Sequence, residues 1–164
     1  MPDKVGNDSS ALAEALRSSV SDVLEKMFFV RSLEEDDLQE CADDTVMAAQ
    51  LTFRGEPSGS LRLRIRAKAA RVIAADFLGA QEEDLSEREV GDVICELANM
   101  ICGSVLSRVE SSVLFRLDSP RLLEAGTAND DLADTQAVGA LHGAMSVCLS
   151  TKSSECLCIA EPAY

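Results

Sequence analysis

Four residues of one segment combine carboxylate, carboxamide and glycine chemistry at helical spacing. Asp92, Glu96, Asn99 and Gly103 follow one another at steps of four, three and four. In a helix such residues form one row, with each side chain about one turn from the next. A carboxylate supplies charge, and a carboxamide both donates and accepts hydrogen bonds while it stays neutral. The row could hold a partner or orient a reacting water, although the solvated side of any surface helix offers the same residue types.

Two features of this row favour a functional interpretation over a solvated face. The row contains no Lys or Arg, so nothing local is expected to offset the repulsion between Asp92 and Glu96, which costs about a few tenths of a kcal/mol. Gly103 lies inside the helical segment, where glycine costs about 1 kcal/mol relative to alanine. Because glycine on an exposed face permits close approach by another backbone, Gly103 is a candidate contact for a partner.

The row requires a helix that buries its opposite side. Apolar side chains recur opposite the row at helical spacing: Val90, Ile94, Leu97 and Ile101, flanked by Val93, Met100 and Val105. Ser86 and Glu89 have the spacing of a capping box, in which each residue satisfies an otherwise unpaired backbone amide. The sequence therefore predicts an amphipathic helix over residues 87–107.

The remaining elements predict an α+β domain. Apolar residues at three- and four-residue steps predict a first helix over about residues 10–29, and strict alternation of apolar and Arg residues predicts a strand over 61–66. A turn at 55–59 joins that strand to another over about 45–53. Other predicted elements are a short helix over 67–78 and closing strands over 135–141, 144–150 and 155–160. We therefore expect one domain over residues 1–164, with a largely antiparallel sheet packed against two long helices.

Composition limits the classes of partner. The 164 residues carry a net charge of −14. Because nucleic-acid binding depends on neutralising phosphates, this charge disfavours DNA and RNA, and it disfavours anionic membrane surfaces in the same way. No stretch approaches the roughly 18 apolar residues of a membrane span, and the N-terminal residues show no apolar signal core. A cytoplasmic protein is the expectation.

The cysteines and the single histidine do not suggest a metal site. The six cysteines are Cys41, Cys95, Cys102, Cys148, Cys156 and Cys158, and none forms a CxxC pair. A zinc site needs three or four converging nitrogen or sulfur ligands. We therefore interpret the cysteines as free, mostly buried thiols, interpret His142 as structural, and expect no metal or other cofactor in this chain.

The segment from Asp92 to Gly103, DVICELANMICG, resembles the D-x3-E-x2-N-M-x-x-G helix of the CheC/CheX chemotaxis phosphatases. Three further stretches resemble the same family: Phe53 to Leu61 its hairpin, Ala69 to Gly79 its short helix, and Leu117 to Pro120 the approach to its closing strands. The similarity covers most of residues 20–160.

This resemblance implies a CheC-like fold and hydrolysis of the aspartyl phosphate on a CheY-like receiver domain. Asn99 would orient the attacking water inside the receiver's active site, and Glu96 would pair with the receiver's active-site lysine. Asp92 and Gly103 would contact the partner along the same row. The resemblance also implies a homodimer, with Mg²⁺ belonging to the receiver. Phosphoryl transfer needs positioning and charge compensation more than covalent help, which suits a neutral amide.

The chain departs from the CheC pattern at its first helix. CheC-type members have a second E-x-x-N there, whereas this sequence places Phe28 three residues after Glu25. That half is expected to be inactive, with Phe28 in the core. A single motif is the CheX arrangement, and the FliM/FliY branch is disfavoured because no switch-protein segments surround the domain.

Two classes of function stay open from sequence alone. One is a phosphatase of receiver domains, and the other is a binding module that docks onto a receiver with little or no hydrolysis. A basic stripe on the hairpin, formed by Arg54, Arg62, Arg64 and Arg66, is interpreted as a solvated face or as cross-strand pairs with acidic residues. Its alternative role is contact with an acidic partner.

Overall fold

A mixed helix-and-sheet architecture is seen in the computed structural model, which describes residues 4–28, 45–109, 114–124, 135–141 and 145–151. The helices are α1 (Lys4–Lys26), α2 (Ala67–Leu78) and α3 (Glu87–Leu106), with a 3-10 turn at Glu82–Asp84. The strands are β1 (Val46–Arg54), β2 (Gly59–Arg66), β3 (Arg116–Leu117), β4 (Arg121–Leu122), β5 (Thr135–Leu141) and β6 (Met145–Thr151). The α+β prediction is confirmed, but the described residues contain three helices, of 23, 12 and 20 residues, where two long helices were expected.

The sheet is antiparallel throughout the described residues. Its strand order is β3-β1-β2-β6-β5, and β4 also pairs with β1. In the β1–β2 hairpin Leu51 pairs with Leu61 and Ala49 with Leu63. Burial alternates along β2 and along β6, so one face of each strand enters the core. The helices pack their buried residues into that same core cluster, which makes two layers.

Helix α1 begins and ends earlier than its apolar periodicity predicts. The helix starts at Lys4, whereas the prediction began near residue 10. The prediction missed this first part because residues 4–9 are mostly polar and show no apolar periodicity. The helix ends at Lys26 because the chain turns at Met27 and sends Phe28 into the core, where that side chain is fully buried. The expected burial of Phe28 is confirmed.

Helix α2 ends where the sequence predicts. Gly79 caps it in the left-handed conformation with φ of 63°, and its N–H donates to the Ala75 carbonyl. That backbone conformation is easily adopted only by glycine.

The later strands agree only in part with the prediction. β5 and β6 match two of the three closing strands, whereas the third, over 155–160, lies outside the described residues. Residues 114–124 contain two short strands, β3 and β4, both paired to β1. This segment lies beside α3, since an added Cβ at Gly91 would meet Leu122 Cδ1 at 2.5 Å.

Candidate functional site

Helix α3 carries the candidate site, and its first turn is fixed by a capping box. The Glu89 N–H donates to Ser86 Oγ at 3.2 Å, and the Ser86 N–H donates to Glu89 Oε2 at 2.8 Å. These two bonds satisfy backbone donors that the helix itself leaves unpaired. The hydrogen bond from the Ser86 backbone is the main cause that lowers the pKa of Glu89 below its ordinary value, and the Ser86 hydroxyl adds to it. The predicted capping box is confirmed.

Contacts of the Arg71 side chain hold the segment before α3 against α2. Arg71 Nη1 donates to the carbonyl oxygens of Glu82 and Leu85, each at 2.8 Å, and its Nη2 pairs with the Glu87 carboxylate. One planar guanidinium thereby joins α2, the 3-10 turn and the start of α3.

The opposite end of α3 is tied to α1. Arg108 Nη2 lies 2.8 Å from Asp22 Oδ2, and both side chains are partly buried. The pKa of Asp22 is lowered, chiefly by the hydrogen bond from Lys26 and next by that residue's charge, with Arg108 contributing less. With both ends anchored, α3 presents its outer row on a fixed support.

The core side of α3 follows the predicted stripe. The buried residues include Val90, Val93, Ile94, Leu97, Ile101 and Val105. Met100 packs against the core but is only partly buried. The helix runs Glu87–Leu106, within one residue of its predicted end.

The structure places all four candidate residues on the outer side of α3. Asp92 and Glu96 are exposed, whereas Asn99 and Gly103 are half-buried. With a helical rise of about 1.5 Å per residue, Glu96 and Asn99 lie about 4.5 Å apart along the axis. No residue that the structure describes forms a hydrogen bond with the Asn99 carboxamide or an ion pair with the Glu96 carboxylate. Within the part of the chain that the structure describes, no side chain competes with an incoming molecule for either polar group.

The expectation that the row lacks a basic neighbour is wrong. Arg88 precedes Asp92 by four residues, and its Nε lies 4.0 Å from Asp92 Oδ2. Both side chains are largely exposed, so this pair contributes about 0.5 kcal/mol or less. The Arg-x3-Asp spacing of Arg88 and Asp92 in the sequence is the signal for this pair. Arg88 extends the row by one turn.

Two thiols lie within α3, and both are protonated at neutral pH. Burial raises the pKa of Cys102 to about 12. Burial, and secondarily the Asp92 charge, raises the pKa of the half-buried Cys95. Cys148 is not part of a disulfide bond, whereas Cys41, Cys156, Cys158 and His142 lie outside the described residues. Among the residues described, no three His, Cys, Asp or Glu side chains cluster as metal ligands.

Two of the four hairpin arginines have side-chain partners, as expected of a strand face. Arg54 lies 3.5 Å from Asp118, and Arg62 donates to Gln50 Oε1 from both Nε and Nη2, so one partner is acidic and the other is an amide.

None of the helices described here is long and apolar enough to span a membrane.

The fold resembles those of solved CheX and CheC-like proteins. The chain is similar to the chemotaxis protein CheX from Vibrio vulnificus, with a TM-score of 0.63 and 18% identity over 88% of this chain and 98% of that one. It is similar to a chain of the CheX–CheY–BeF3–Mg²⁺ complex from Borrelia burgdorferi, with a TM-score of 0.61 and 15% identity over 85% and 97%. A CheC-like superfamily protein from Shewanella sp. PV-4 gives a TM-score of 0.58 and 17% identity over 87% and 97%.

The sequence gives the narrower assignment. The family model described as chemotaxis phosphatase CheX matches residues 47–141, which contain all four candidate residues. The chain belongs to this CheX family. A search of curated proteins finds no match.

Proposed function

We propose that this protein hydrolyses the aspartyl phosphate of a CheY-like receiver domain, with Asn99 and Glu96 as its catalytic residues. One observation carries the proposal. The Asn99 carboxamide lies about one turn from the exposed Glu96 carboxylate on a helix anchored at both ends, and neither group has a side-chain partner among the described residues. Membership in the CheX family supports the same conclusion.

Asn99 is assigned to the attacking water. Its carboxamide oxygen accepts a hydrogen bond from the water and its NH₂ group donates to a neighbouring oxygen, so one side chain can orient the nucleophile. The group is neutral and does not repel the phosphoryl oxygens as a carboxylate would. Phosphoryl transfer depends mainly on positioning and charge compensation. An amide that positions the water is therefore enough for this chain to accelerate the reaction.

Glu96 is assigned to docking. Its carboxylate is exposed and has no cation beside it among the described residues. It can therefore pair with a lysine of the receiver and hold Asn99 in register with the phosphoryl group. Asp92 and Gly103 extend the same row, and we assign them to contact with the partner.

The receiver supplies the rest of the chemistry. We propose that Mg²⁺ is bound by the receiver domain rather than by this chain. The complex that contains the similar Borrelia chain includes CheY, BeF3 and Mg²⁺.

We also propose that the protein acts in the cytoplasm as a homodimer. Light scattering at micromolar concentration should give about twice the 17.5 kDa chain mass. A monomer mass would contradict the dimer and leave the phosphatase assignment intact.

Phosphate release from purified, phosphorylated receiver domains tests the function. We expect release to be faster with this protein than without it, and Asn99→Ala to reduce the acceleration by on the order of 10²-fold or more. The control is circular dichroism, which should show the variant as folded as the parent. An Asn99→Ala variant with the parent's turnover would disprove the mechanism. Binding to a receiver without accelerated release would instead identify a docking module.

A further inference from the structure

An apolar groove lies at the C-terminal end of the candidate row. It has a volume of about 340 Å³. The last turn of α3 and Val109 form one side, and residues 114–117 form the other. The groove begins at Gly103, the last residue of the row, which lies about 6 Å along the helix axis from Asn99.

The far wall of the groove is held in place. The Phe115 ring packs edge-on against Phe53, with centroids 5.8 Å apart. It also covers Gly55, where an added Cβ would meet Phe115 Cδ1 at 2.4 Å. Leu117 pairs with Phe53 in the β1–β3 ladder. Phe115 and Leu117, which follow Leu114, are therefore held against β1 before any partner arrives, which lowers the entropy cost of binding there.

Leu114 itself is left in solvent. Its exposed fraction is 91%, whereas the other large exposed hydrophobic residues in the described part of the chain range from 43% to 51%. Gly103 leaves the near wall open, because a Cβ added there would meet no atom within 4 Å. Leu114 therefore lies on one side of the groove, and Gly103, which has no side chain, lies on the other. This arrangement can receive an apolar group.

We propose that this groove receives an apolar side chain of the same receiver domain whose phosphoryl group Asn99 approaches, with Leu114 as the anchoring contact. This inference rests on the proposed function. A specific interface covers about 800 Å² on each partner, a patch roughly 30 Å across. A body that brings its reacting atom to Asn99 therefore also covers Gly103 and the groove. Leu114 sets the strength and choice of partner, and Asn99 performs the chemistry.

Binding of a CheY-like receiver domain activated with beryllofluoride tests the proposal without any turnover. The receiver is the one on which the parent protein releases phosphate fastest, or the one it binds most tightly if release is not accelerated. We expect Leu114→Ala to raise Kd by on the order of 10-fold, since most of a buried leucine contact is lost. Gly103→Leu should fill the groove mouth and weaken binding at least as much. The matched control is Val46→Ala, because Val46 pairs with Arg66, is 49% exposed and does not line the groove.

Each outcome separates this inference from the proposed function. The proposal is supported if Leu114→Ala raises both Kd and KM for the receiver while Val46→Ala leaves them unchanged. If Leu114→Ala binds the receiver with the parent's Kd and dephosphorylates it, the proposal about the groove is wrong and the phosphatase assignment stands. If Leu114→Ala instead weakens self-association, the groove holds a second copy of the chain and the proposal is wrong. Failure of the parent protein to bind any receiver overturns both.

Discussion

The ring of Phe28 stacks on the ring of Phe77, with centroids 4.4 Å apart and an angle of 26° between their planes. Phe28 occupies the position at which CheC-type relatives would place the Asn of a second motif on the first helix. It is fully buried and joins the end of α1 to α2. Phe28 therefore belongs to the core that joins these two helices.

We expect Phe28→Asn to destabilise the protein without creating a second active site. The change removes a buried aromatic side chain and leaves an amide in an apolar environment, which should cost about 3–5 kcal/mol. Phe28→Leu, which keeps an apolar side chain, should cost roughly 1.5 kcal/mol. Urea unfolding measures both. A Phe28→Asn variant with the parent's stability would show that this position is not part of the core.

The two glycines of α3 that differ in surroundings should respond differently to alanine. Gly103→Ala fills open space and gains helix propensity, so the free energy of unfolding should rise by about 0.5–1 kcal/mol. Gly91→Ala should gain less because its Cβ displaces the end of the Leu122 side chain. Chemical denaturation tests the order. We expect Gly103→Ala to weaken receiver binding despite its greater stability, and a variant that is both more stable and equally tight in binding would contradict a docking role.

The sequence predicted the elements whose apolar pattern is regular and missed those set by tertiary contacts. Helix α3 and the β1–β2 hairpin have strong periodicity, and their positions were predicted to within about two residues. The start of α1 is mostly polar and has no apolar periodicity, and β3 and β4 are two-residue strands that pair with β1. At the site, helical spacing could group Glu96 with Asn99. It could not reveal the groove beside Gly103, because Leu114 reaches that position through the contacts of Phe115.

Loss of the capping box should loosen the start of α3. Ser86→Ala should lower the free energy of unfolding by about 1 kcal/mol. The pKa of Glu89 is lower in the folded state, so its contribution is present above its ordinary value of 4.5 and is lost as pH falls through the lower folded-state value. Unfolding measured from pH 7 to pH 3 should therefore show Glu89→Gln converging with the parent at the acid end. Parallel curves over that range would contradict the linkage.

The thiols of α3 should be poorly reactive in the folded protein. Cys102 is fully buried and burial raises its pKa to about 12, so the thiolate needed for reaction is scarce at pH 8. Cys95 is half-buried and should react more slowly than a free cysteine but faster than Cys102. Timed alkylation followed by peptide mass spectrometry measures this order. Complete titration of all six thiols in denatured, unreduced protein is the control, and loss of a pair would reveal a disulfide.

Glu96 and Asn99 should fail in different ways, because one is assigned to docking and the other to the water. Glu96→Gln keeps the side-chain shape and removes the charge. We expect KM to rise by on the order of 10-fold at low ionic strength, with kcat nearly unchanged. The difference from the parent should shrink toward 1 M salt, where the screening length is only about 3 Å. Asn99→Ala should lower kcat by about 10²-fold at every salt concentration.

Asp92→Asn is the matched control for Glu96→Gln, since each change removes one exposed carboxylate from the same row. Asp92 already has the Arg88 guanidinium beside it, at 4.0 Å, whereas Glu96 has no such neighbour among the described residues. A receiver lysine should therefore gain less from Asp92, and Asp92→Asn should raise KM less than Glu96→Gln does. Steady-state phosphate release across receiver and salt concentrations measures all three variants. If Glu96→Gln lowers kcat and leaves KM and its salt dependence unchanged, Glu96 acts in the chemical step and its assignment to docking is wrong.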